Sequence, residues 1–117
     1  MTTLKHLRTL KLNTNRIADA VLKHLAELAN LRKLELRATK ITDASLKHLA
    51  PMQQLEWLDV GFNEVTDAGA MQLAGLRKLG YLFLGGTNVT AGVKDKLEKA
   101  LPGCVVNVDP LGLQSSR

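Results

Sequence analysis

A chain of 117 residues that is 45% hydrophobic, 23% charged and 3% aromatic, with a formal charge of +5, has the size of one domain and the balance of a folded protein, which excludes disordered and collagen-like classes. No apolar run approaches the ~20 residues of a bilayer-crossing helix, and Lys5, Arg8, Lys11 and Arg16 interrupt the start of the chain where a signal peptide would be apolar. The single cysteine, Cys104, excludes a disulfide framework and a cysteine-based zinc site, and the four aromatics, Trp57, Phe62, Tyr81 and Phe83, leave a core to be built from Leu, Val, Ile and Ala.

In chain order, residues 1–6 read as the tail of a preceding unit, because LKHL at 4–7 matches the register of Leu28–Leu31. Four units follow at a shift of 24 residues, 7–30, 31–54, 55–78 and 79–103, the last one residue longer. They share L-x-x-L-x-L-x-x-[NT]-x-[IV]-[TA]-[DA]. In each unit a short strand comes first: Leu10 and Leu12, Leu34 and Leu36, Leu58 and Val60, and Leu82 and Leu84 alternate with outward residues, the period of a strand with one buried face. A helical half follows, with Leu22, Leu25 and Leu28, then Leu46, Leu49 and Met52, at spacing three on one stripe. Thr42, Thr66 and Thr90 stand where helix caps belong, with Asp43 and Asp67 at the positive helix end. Ala18 replaces the threonine of the first unit, where Asp19 is the alternative cap. Asn15, Thr39, Asn63 and Thr87 share one turn position, where a polar side chain satisfies backbone groups left over inside a stack. The last helix, VKDKLEKALPG, is longer and more charged, residues 104–109 supply a closing strand, and residues 110–117 form a flexible tail.

One strand and helix of 24 residues cannot bury its own apolar face, so the units must stack, strands side by side and helices on the opposite layer. The pattern L-x-x-L-x-L-x-x-[NT] resembles the leucine-rich repeat family over about residues 4–109. The phrases ITDASLKHL and VTDAGAMQL resemble its 24-residue helix-containing variant, found in bacterial repeat proteins and in repeats that follow F-box domains. This chain has leucine or asparagine where the F-box-associated variant often has cysteine, and no F-box-like segment precedes the repeats. The resemblance implies an α/β right-handed solenoid with a parallel concave sheet of about five strands, helices on the convex side, and a protein-binding role on that sheet.

Outward strand positions define three columns across the units. The first holds Thr9, Lys33, Trp57, Tyr81 and Val105, the second Lys11, Glu35, Asp59, Phe83 and Asn107, and the third Asn13, Arg37, Gly61, Gly85 and Asp109. Trp57, Tyr81 and Phe83 therefore share one outward surface with Phe62 at its rim, and aromatic patches of this kind mark binding surfaces. Trp57, Tyr81 and Phe83 are the expected anchors for a protein or peptide, with Asp59, Phe62, Lys33, Glu35 and Arg37 around them. The competing reading has the aromatics cover one another and fill the concavity. Five strands present only about 400 Å² of projected sheet, which suits a peptide or loop.

Residues 1–54 carry +6 and residues 55–117 carry −1. The basic residues scatter around the units rather than interleaving with the aromatics, which argues against nucleic acid. His24 and His48 lie on neighbouring helices with no third ligand, too far apart for one metal ion. Cys104 reads as a buried thiol rather than a nucleophile. Gly85 and Gly86 lack the Gly-Lys-Ser/Thr of a phosphate loop and read as turn residues or relief beside Phe83. No catalytic constellation and no cofactor are implied, and the expected compartment is the cytoplasm. The alternative to a binding module is a structural piece, the C-terminal part of a longer array, whose open N-terminal edge docks onto further repeats or pairs with a second copy. An enzyme inhibitor of repeat type ranks below both.

Overall fold

The computed structural model describes residues 6–14, 16–17 and 19–109, the Asp19 side chain excepted. Expectations for residues 1–5, Asn15, Ala18, the Asp19 cap and the tail 110–117 fall outside the described residues. Strands β1 (Thr9–Lys11), β2 (Lys33–Glu35), β3 (Trp57–Asp59), β4 (Tyr81–Phe83) and β5 (Val105–Asn107) form one parallel sheet in chain order. Every pairing is between residues 24 apart, as in Leu10 with Leu34, Leu34 with Leu58, Leu58 with Leu82 and Leu82 with Val106. Register follows because a slip of one residue would turn each leucine to solvent. The chain is an α/β solenoid of stacked repeats, as the resemblance implied, with an aliphatic core between the sheet and the helical layer.

Helices α1 (Asp19–Leu25), α2 (Asp43–Leu46), α3 (Asp67–Met71) and α4 (Ala91–Ala100) fill the second layer, and a 3₁₀ turn, Gln72–Gly75, continues α3. The helical halves of the first three units are shorter than their apolar stripes. After two turns or fewer the backbone tightens: Leu49 N–H donates to Leu46 O, Met52 to Leu49, and Leu55 to Met52, at 2.9–3.1 Å. The same three-residue bonds link Leu28 to Leu25, Leu31 to Leu28, Leu76 to Leu73 and Leu79 to Leu76. Three residues per turn is 3₁₀ geometry, in which every third side chain lies on one line. The leucines at spacing three thus run unbroken from the helix into the next strand.

The threonine caps require correction at Thr66 and Thr90, whereas Thr42 forms a capping box with Ser45. Thr66 and Thr90 make no side-chain cap to their own helices. Thr66 instead donates its N–H (2.8 Å) and its hydroxyl to the Asp43 carboxylate, and Thr90 donates its N–H (2.7 Å) and hydroxyl (2.6 Å) to Asp67. A carboxylate accepting two bonds is the stronger arrangement, and it ties each unit to the next. These two bonds hold the Asp67 carboxyl below the usual carboxylate range. Thr42 N–H is satisfied by Ser45 Oγ at 3.1 Å.

The turn position expected to carry a polar ladder does so. Thr39 and Thr87 hydroxyls donate to Leu36 O and Leu84 O at 2.7 and 2.6 Å, and Asn63 makes bonds to both its own unit and the preceding one.

Candidate functional site

The open face of the sheet, away from the helices, carries the three outward columns. In the first column the side chains form a continuous strip. Lys33 Nζ lies 4.5 Å from the Trp57 ring centroid on the β2 side, and Tyr81 stacks on Trp57 from the β4 side at 4.9 Å and 26°. Trp57 and Tyr81 are both half-buried, and Val105 beyond them is 44% exposed. Asn107 Nδ2 reaches the Tyr81 hydroxyl at 3.4 Å. Stacked rings of this kind gain ~0.5–1.5 kcal/mol over their area burial, so the pair holds its arrangement through its own contacts.

The second and third columns behave differently, and two expected contact residues are corrected here. Phe83 faces the open side but is only 1% exposed, and Asp59 only 2%. The Phe83 ring fills the trough made by two glycines: a Cβ on Gly61 or Gly85 would come within 2.4 or 2.5 Å of it. Phe62 packs beside it at 6.4 Å and the Arg37 guanidinium roofs it at 4.5 Å. Gly61 and Gly85 are therefore the relief that Phe83 needs. Asp59 is buried because both its oxygens are used. Arg37 donates from Nε and Nη2 to Oδ2 at 3.0 and 2.9 Å, and the Gly61 N–H donates to Oδ1 at 2.9 Å. Phe83 and Asp59 are thus held within the face by Arg37, Phe62 and the two glycines rather than presented on it.

Phe62 is 42% exposed at the rim, where it lines a cleft of about 470 Å³ with Lys40, Glu64 and Asn88. Its backbone is left-handed, φ 55°, as at the equivalent Thr14 (64°), Ala38 (55°) and Gly86 (73°). Each unit's turn imposes that conformation, which suits glycine and strains a bulky side chain. At the β1–β2 end, Glu35 lies between Lys33 (3.8 Å) and Lys11 (4.0 Å), and Asn13 donates to its other oxygen at 2.6 Å. Lys11, Val105 and Asn107 belong to this surface although the sequence did not single them out. Their signal was column membership alone.

Among the described residues, no group of three or more His, Cys, Asp or Glu side chains could hold a metal ion, and no helix is long and apolar enough to cross a membrane. Cys104 is buried, and desolvation together with the Glu98 charge pushes its thiol up to about 11.

A family model described as "Leucine Rich repeat" matches residues 53–74, one turn of the 24-residue period that the whole sheet repeats. The chain is built of leucine-rich repeats. Among solved structures, this leucine-rich-repeat chain is similar to a leucine-rich-repeat protein of Leptospira interrogans (TM-score 0.63, 23% identity, 86% of this chain and 25% of that one). It is also similar to an internalin of Listeria monocytogenes (0.58, 24%, 88% and 35%). A third similarity is to a chain of the Mex67:Mtr2 subunit structure from Chaetomium (0.70, 20%, 93% and 82%). A comparison with curated proteins finds no match. The leucine-rich-repeat chain spans about a quarter and a third of the two bacterial proteins' lengths, and at these identities the likeness is one of fold.

Proposed function

We propose that this repeat array is a non-catalytic binding module whose open sheet face takes a protein or peptide. The observation that carries the reading is the Trp57–Tyr81 stack, half-buried and ordered on the outward column, with exposed Val105 continuing the strip. Half-buried, pre-stacked Trp and Tyr are typical anchors of interfaces, because their rotamers are fixed before binding. Lys33 and Glu35 would supply polar contacts around them, Arg37 and Phe62 the rim, and Asp59 and Phe83 the support beneath. The double variant Trp57→Ala with Tyr81→Ala tests this. It should lose the partners that the parent chain captures while its urea midpoint moves little. A loss of about 3 kcal/mol or more in stability, with capture retained, would make the stack a packing device and end the reading.

A second reading has one observation of its own. Leu7, Leu10, Leu12 and Ile17 are only partly buried, whereas their equivalents Leu31, Leu34, Leu36 and Ile41 are 0–1% exposed. Further repeats or a second copy docking on the β1 edge would complete their burial.

A further inference from the structure

We infer that the ligand of the open face is an extended peptide with an acidic side chain three to four residues from an aliphatic or aromatic one, crossing the strands with its acid over Lys11 and Lys33 and its apolar side chain over Trp57, Tyr81 and Val105. This rests on the open-face reading above and adds the chemistry of the partner.

The first argument is uncompensated charge. Arg37 and Asp59 neutralise each other in a 2.9 Å ion pair. Glu35, in contrast, is one carboxylate facing two ammonium groups, at 3.8 and 4.0 Å, and its second oxygen already accepts from Asn13. One positive charge is left over at the β1–β2 end, and the Lys11 side chain that carries it is 63% exposed. The β3–β5 end of the neighbouring first column, Trp57, Tyr81 and Val105, is apolar. An acid at one end and an apolar group at the other complement this polarity.

The second argument is shape. Lys33 and Tyr81 flank Trp57 from the two neighbouring strands, so neither face of the Trp57 ring is open to a base or sugar, and the indole offers its edge instead. Edges suit side chains of a peptide rather than the stacking platform that a single-stranded nucleic acid requires. Strands ~4.8 Å apart put β1 about 10 Å from β3 and about 14 Å from β4, which an extended peptide at ~3.3 Å per residue covers in three to four residues.

The test is selection from a displayed library of random twelve-residue peptides on the full chain, followed by calorimetric titration of the enriched peptides as capped synthetic probes. Enrichment of Asp or Glu three to four positions from Leu, Ile, Phe or Tyr is expected. Binding should weaken about fivefold to tenfold in Lys11→Glu, an exposed charge reversal, weaken at high salt, and vanish in Trp57→Ala. Circular dichroism melts of both variants verify that the fold persists. Enriched peptides without acids, or affinities unmoved by Lys11→Glu and by salt, overturn the acidic chemistry while the open-face reading stands. Peptides that bind Trp57→Ala as well as the parent overturn both. A library yielding no enrichment overturns the peptide class.

Discussion

Asn63 joins two units with one amide. It is buried, its Nδ2 donates to the carbonyls of Leu36, Val60 and Gly61 at 2.9, 3.0 and 3.0 Å, and its Oδ1 accepts from the N–H groups of Thr39 and Ile41 at 2.9 and 3.3 Å. The threonine hydroxyls at the same position act as donors within their own turns, Thr39 to Leu36 O and Thr87 to Leu84 O. The longer amide carries its donor and its acceptor on separate atoms, and its Oδ1 takes the N–H groups of the preceding unit. Asn63→Ala leaves those buried donors orphaned and should cost roughly 3 kcal/mol, against about 1 kcal/mol for Thr87→Ala. Urea unfolding of the two variants decides it, and equal losses would mean that the bridge between units contributes nothing. The position of this polar ladder was legible from the 24-residue period. Its unequal roles were not, because the N–H groups of Thr39 and Ile41 become partners only once the units are stacked.

At the scale of the element, leucines at spacing three are ambiguous. They fit a stripe on an α-helix, and they also fit a 3₁₀ line, and the distinction lies in the backbone bonds of the described halves. Glycines settle part of it. Gly69 in α3 lies beneath the Asp43 carboxylate that accepts the two Thr66 bonds, and a Cβ there would come within 2.1 Å of Asp43 Oδ1. Gly75, at the end of the 3₁₀ turn, has nothing within 4 Å of its would-be Cβ. Gly69→Ala should therefore push Asp43 off Thr66 and cost about 1–3 kcal/mol. Gly75→Ala, in open space, should be neutral or stabilise by up to ~1 kcal/mol through the unfolded chain. Melting temperatures that rise equally in both would show that helix propensity, rather than the Asp43 contact, dominates at Gly69. Outward placement of Trp57, Tyr81 and Phe83 was readable from strand alternation in the same way. The burial of Phe83 was not, because it depends on one glycine just past its own strand, another just past the neighbouring strand, and an arginine that folds across the ring.

At the scale of the whole molecule, a parallel sheet of five strands has two edges, and an edge strand presents unpaired backbone groups to other chains. The two ends of this sheet are treated differently. At β5, Val105 N–H donates inward to Gly80 O at 3.0 Å, while the next N–H, that of Val106, is met at 3.3 Å by Glu98 Oε2. Glu98 is itself held by Lys94 at 3.1 Å, one turn earlier on α4. The longer, charged last helix thus brings a carboxylate to the sheet edge and closes it, which gives a physical reason for its departure from the repeat. At the β1 edge the core leucines remain only partly buried. Glu98→Ala should remove the acceptor, cost about 1–2 kcal/mol, and increase self-association in sedimentation velocity as the β5 edge opens. Glu98→Gln keeps an acceptor oxygen and should restore most of both. If the alanine variant melts and sediments like the parent, water satisfies the Val106 N–H and the edge is closed by some means other than Glu98.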